Sequence, residues 1–114
     1  MVGFHGSFQD SKCLYLVMEH CSSGDLLEKI LREGRAMEER RTVNEVAVPL
    51  LISLTAMHKR ALIHRDIKLE NIFVDGKQGV KFGDFGLTMS TEEERGISPV
   101  GTVEYMAPEV TPPS

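Results

Sequence analysis

Apolar and polar positions change rhythm several times along this chain. Two short runs open it, "VGFHGSF" and "CLYLVME", rich in branched and aromatic residues. The polar "QDSK" between them reads as the turn of a strand hairpin. In "SSGDLLEKILREG" the residues Leu26, Leu27, Ile30 and Leu31 recur at helical spacing, and Gly34 stops the pattern. A second helical period runs from Thr42 to Lys59 through Val43, Val46, Ala47, Leu50, Leu51, Leu54 and Met57. Val48 and Ile52 lie off that stripe, which predicts a helix buried on more than one side. Pro49 is expected to kink this helix or to mark the start of its regular part.

Beyond the helix come "IFV" and "VKFG", two small strands around the turn "DGKQG". From Asp84 onward regular patterning disappears into the long loop "DFGLTMSTEEERGISPVGTVEYMAPEV". A compact domain rarely keeps so long a loop without a function.

Composition narrows the picture. A chain of 114 residues suits one small domain. Net charge is −4 and the basic residues are scattered, so no nucleic-acid or anionic-membrane surface is expected. The most apolar run, "VAVPLLISLTAM", has 12 residues, whereas a bilayer span needs about 20. No basic start or apolar segment of a secretory signal opens the chain. Cys13 and Cys21 form neither a metal spacing nor a disulfide framework, which points to an intracellular, cytoplasmic setting.

Chemistry concentrates in "LIHRDIKLENIFV". Asp66 and Asp84 are carboxylates 18 positions apart, one in a loop after a helix and one after a strand, and Asn71 adds a neutral oxygen. Carboxylate plus amide oxygen suits Mg²⁺, which binds one or two carboxylates and completes its shell with phosphate and water. Lys68 supplies a mobile cation two residues beyond Asp66, able to neutralise a transferring phosphoryl group. These are the parts that phosphoryl transfer needs, since that reaction rests on positioning and charge neutralisation.

"HRDIKLEN" (His64 to Asn71), "DFG" (Asp84 to Gly86) and "APE" (Ala107 to Glu109), in that order, resemble the eukaryotic protein kinase family, on its serine/threonine side. The resemblance implies an α+β, protein-kinase-like fold that is incomplete. Residues 1–21 would be strands and hinge, 22–83 helices and catalytic loop, and 84–109 the activation segment. It implies ATP and Mg²⁺ as cofactors and proteins bearing Ser or Thr as substrates. Asp66 would orient the substrate hydroxyl and accept its proton, Lys68 would steady the γ-phosphate, and Asn71 and Asp84 would hold the metal. Met18 would lie behind the adenine. The Glu19 carbonyl and Cys21 amide would bond its edge, Asp25 would reach the ribose, and Phe73 would lie under the ring. Phe4, His64 and Phe85 match a stacked apolar column that couples the lobes. Thr102 would buttress Asp66 and Lys68. Arg65 would grip a phosphate placed on Ser98, the expected regulatory site.

Other family parts have no counterpart in these residues. No G-x-G-x-x-G occurs, Lys12 is the only lysine before Glu19, and no glutamate precedes Glu19. The expectation is a fragment without the phosphate lid, the ATP-clamping lysine and the later helices, inactive and marginally stable alone. The alternative is a truncated pseudokinase acting as a non-catalytic protein-binding module. The complete set of Asp66, Lys68, Asn71 and Asp84 favours the first reading.

Overall fold

Residues 1–76, 79–95 and 99–111 are described by the computed structural model. Strands β1 (Phe4–Gln9) and β2 (Leu14–Met18) form the expected antiparallel hairpin. Asp10 closes its turn, accepting from the Lys12 and Cys13 amides at 2.7 and 2.8 Å. The ribbon stands alone as a two-stranded sheet, so side chains on both of its faces, from Phe4 to Met18, remain exposed.

Helix α1 (Leu26–Glu33) begins at a capping box. Asp25 Oδ1 accepts the Glu28 amide at 2.9 Å, and Glu28 Oε2 accepts the Asp25 amide at 3.3 Å. It ends where the pattern predicts, at Gly34, whose φ of 67° lets its N–H return to the Ile30 and Leu31 carbonyls.

The long second helix is composite. A short α2 (Glu39–Arg41) runs into a π-helical segment, Thr42–Ala47, and then into α3 (Val48–Lys59). Pro49 is the second residue of α3 and follows the π-helical segment directly, so it marks the start of the regular part. One side of this helix, through Val46, Leu50 and Leu54, packs with Leu26, Ile72, Val74 and Phe82 into the core. The expectation of burial on several sides fails. Val43, Val48, Leu51 and Ile52 are exposed, Ile52 by 66%, because the described residues cover only the face turned to the small strands. The expected exposure of apolar faces is what the isolated chain displays.

Strands β4 (Ile72–Val74) and β5 (Val80–Phe82) pair antiparallel, as the pattern indicates. Pattern alone missed β3 (Leu62–Ile63) and β6 (Met89–Ser90), a pair of two-residue strands that fastens the long loop beneath the residues leading to Asp66. The loop also holds a 3₁₀ turn, Val103–Tyr105. The architecture is α+β, and no helix among the described residues is long and apolar enough to cross a membrane.

Candidate active site

The segment from His64 to Asn71 is pinned from both sides. His64 is 1% exposed and its ring packs against Phe82 and, edge-on, Phe85. Its Nδ1 accepts the Asp66 amide at 3.2 Å, which leaves the proton on Nε2 to donate to the Gly83 carbonyl at 3.3 Å. One buried ring thus ties the backbone of Asp66 to the residue before Asp84. Phe4, expected in the same column, is 64% exposed on β1, so among the described residues the packed column is His64, Phe82 and Phe85.

Three polar side chains converge on Asp66. Thr102 Oγ1 donates to Asp66 Oδ1 at 2.8 Å and accepts from Lys68 Nζ at 2.8 Å. Lys68 Nζ also lies 3.6 Å from Asp66 Oδ2. Asn71 Nδ2 donates to the Asp66 carbonyl at 2.8 Å and to Oδ2 at 3.1 Å. Burial alone would raise the Asp66 carboxyl, but the Thr102 hydroxyl, the Lys68 charge and the Asn71 amide outweigh it and hold the group below its ordinary value. The carboxylate is therefore ionised at neutral pH and partly enclosed.

Two loops place these groups through unusual backbone. Arg65 and Asp84 take positive φ, 68° and 50°, without being glycine, conformations that persist only where surrounding structure enforces them. Gly101 has φ 127°, and a side chain there would press on the Arg65 carbonyl, so glycine lets the Thr102 segment approach Asp66 closely. Arg65 Nε donates to the Leu87 carbonyl at 2.6 Å, just after the Asp84–Gly86 turn. Ser98 lies outside the described residues.

For Mg²⁺, the donor set is the test. Both Asn71 bonds to Asp66 use its NH₂ group, leaving Oδ1 as its acceptor atom. The Gly83 amide donates to the Asn71 carbonyl at 3.0 Å, which sets the Asn71 backbone beside the start of the Asp84 turn. Asp84 is exposed, with Oδ1 accepting the Gly86 amide at 3.3 Å. One carboxylate and one amide oxygen fit a cation that draws the rest of its shell from phosphate and water. Among the described residues no cluster of three His, Cys, Asp or Glu could hold a metal unaided.

The residues expected around a nucleotide base fall in two groups, one at the end of the ribbon and one around Phe73. Met18 ends β2 opposite Phe4, and the segment Glu19–Cys21 follows it. Phe73 bridges to Asp25 through the backbone, and its ring lies against Gly83 and so close that a Cβ there would collide with it. Asp25 also caps α1, a structural task that the Asp-x-x-Glu spacing before an apolar run signals and that sequence reasoning passed over. A cavity of about 410 Å³ opens beside Asp66 between Ile63, Ile67, Met89, Tyr105 and Val110.

Residues 1–114 match the protein kinase domain family along their whole length. Over 112 residues the chain is 40% identical to the eye isozyme of protein kinase C from Drosophila melanogaster, covering 96% of this chain and 16% of that protein. It is 38% identical over 112 residues to the cell cycle serine/threonine-protein kinase CDC5/MSD2 of Saccharomyces cerevisiae, again 96% and 16%. With the serine/threonine-protein kinase Nek9 of Xenopus laevis it shares 32% identity over 112 residues, 96% of this chain and 12% of the relative. The chain thus spans about a sixth or less of the length of these relatives.

Proposed function

The chain belongs to the protein kinase domain family, and from that premise we propose that it carries the catalytic loop of a serine/threonine kinase acting on protein hydroxyls. The observation that supports this most is the Asp66 carboxylate, held ionised by Thr102, Lys68 and Asn71 and joined through His64 to the turn bearing Asp84. Bound MgATP would supply the transferable phosphoryl group and the cation that neutralises its charge.

The chain's own residues do the rest. Asp66 accepts a hydrogen bond from the substrate Ser or Thr hydroxyl, orients it and takes its proton. Lys68, shared between Thr102 and Asp66, offers its ammonium to the oxygens of the phosphoryl group. Asn71 Oδ1 and the Asp84 carboxylate would hold the metal. The Glu19 carbonyl and Cys21 amide would bond the adenine edge, and Met18, Phe73 and Asp25 would line the rest of the nucleotide's place. Arg65 already grips the Leu87 carbonyl, and its remaining N–H groups meet a phosphate on Ser98, ordering the segment 84–109.

The sequence contains no glycine-rich loop and no lysine before Glu19 other than Lys12. The 114 residues alone are therefore expected to turn over no substrate. The test begins with the size of the native product, found with an antibody to residues 66–74. That protein is then purified and incubated with MgATP and a Ser/Thr-rich protein. Transfer should fall by about 10²-fold or more in Asp66→Asn, the scale of losing a positioned base. Undiminished transfer in that variant, or no transfer by the native protein, ends the proposal.

A further inference from the structure

One ion pair crosses 62 positions of sequence and has no place in the chemistry above. Lys81 of β5 donates from Nζ to Glu19 Oε1 at 2.6 Å and lies 3.7 Å from Asp75 Oδ2. Glu19 follows the ribbon directly. Its other oxygen, Oε2, accepts the Gly3 amide at 3.0 Å, while the Glu19 amide donates to the Gly3 carbonyl at 2.8 Å. In an ordinary antiparallel ladder such a pair exchanges two backbone bonds. Here the Glu19 carboxylate replaces the Glu19 carbonyl as acceptor. That carbonyl consequently has no hydrogen-bond partner among the described residues, and neither does the Cys21 amide.

The ribbon needs such a tie. Its side chains are exposed, and just before β1 the Val2 amide donates to the Phe82 carbonyl of β5 at 2.8 Å. Lys81 also separates two carboxylates that both reach for it, Glu19 and Asp75. Without the lysine those charges face each other, and Glu19 swings away from β5. The Lys81 ammonium holds the Glu19 carboxyl below its ordinary value, with help from the Gly3 amide.

We infer that Lys81 is a positioning residue: it anchors the Glu19 side chain to β5, which fixes the ribbon and keeps the Glu19 carbonyl and Cys21 amide free to receive the edge of a purine base. The purine half of this rests on the kinase reading; the anchoring half does not.

The experiment compares Lys81→Met with Lys81→Arg in the native protein that carries these residues, using amide hydrogen exchange read residue by residue and titration with adenosine, which needs no phosphate clamp. In Lys81→Met, exchange at the Gly3 and Glu19 amides should quicken about tenfold, while the β4–β5 amides keep their rates. Adenosine should bind several-fold more weakly. Lys81→Arg should restore both. Unchanged exchange at Gly3 and Glu19 overturns the inference, and so does an equal rise throughout β4–β5, which would mark general loosening. If the parent chain binds adenosine and Lys81→Met binds it equally well, the positioning role is overturned while the kinase reading stands. If the parent binds no adenosine, the kinase reading of this edge fails and the exchange rates alone decide whether Lys81 is the anchor.

Discussion

Replacing Thr102 by valine keeps the shape of the side chain and deletes one hydroxyl that makes two bonds to charged partners, each 2.8 Å long. Hydrogen bonds to charged groups contribute about 1.5–3 kcal/mol each, but the two are not equally replaceable. Lys68 is 22% exposed, so water can take up its lost bond, whereas the Asp66 side chain is 14% exposed and loses an acceptor bond in a more enclosed place. Asn71 stays on Oδ2 and Lys68 remains 3.6 Å away, so Asp66 is weakened but not abandoned. The net expectation is a loss of about 2 kcal/mol against the control Thr102→Ser, which retains the hydroxyl. With a urea slope of about 1–2 kcal/mol per molar, the midpoint falls by roughly 1–2 M. The chain contains no Trp, so far-UV circular dichroism is the suitable signal.

Acid gives a second handle on the same pair. A carboxylate whose folded pKa is depressed stabilises the fold above its ordinary value, 3.8 for Asp66, and that contribution disappears as pH falls through the folded pKa. Thr102→Val removes one of the groups holding the Asp66 pKa down, so its carboxyl titrates higher and acid costs the variant less. The gap between the valine and serine variants should therefore be widest near neutrality and shrink below pH 3.8. Equal midpoints at pH 7, or a gap indifferent to pH, would refute the account of Asp66.

Three further outcomes follow from the packing. Gly83→Ala puts a methyl group into the Phe73 ring and should cost about 1–3 kcal/mol, with Phe73→Leu in the same chain recovering much of it; a single variant as stable as the parent removes that contact from consideration. Ile52→Lys, at a residue 66% exposed, should shift stability by no more than about 0.5 kcal/mol while lowering dye binding and aggregation, and a larger loss would mean that Ile52 is packed. Asp25→Ala should cost about 1 kcal/mol through the lost cap, and Asp25→Ser should restore it. Adenosine affinity that serine leaves depressed then separates a ribose contact from the cap.

The local elements were legible because their signals are local. Gly34 closes α1, "QDSK" turns the first hairpin, and the "IFV" and "VKF" runs pair where their pattern says. Asp66, Lys68 and Asn71 were also legible, since chemistry of that kind requires carboxylate, lysine and amide at short spacing, whereas Thr102, 36 positions from Asp66, entered only through the family resemblance. What escaped depends on distance in sequence. Glu19 and Lys81 are ordinary surface residue types until the fold sets them 2.6 Å apart. The strands β3 and β6 are two residues each, too short for any period to register. The phase of α3 was readable, yet which of its faces is covered is not written in it. Leu50 and Leu51 look alike in sequence, but one lies in the core and the other is 61% exposed.

The π-helical segment Thr42–Ala47 has a consequence for how this helix can change in length. A π turn holds one residue more than an α turn without lengthening the axis proportionately, so it is the natural place for a single residue to be gained or lost. Deleting one residue there would convert the wide turn to an α turn, and because the wide turn spreads one more residue over the same rotation, α2 would stay close to its present phase about the axis. Everything after Pro49 would keep its phase, with Leu50 and Met57 still facing inward. The segment therefore acts as a slip joint: related chains can drift by one residue upstream of the proline while the core, and the loop that carries Asp66, stay in register.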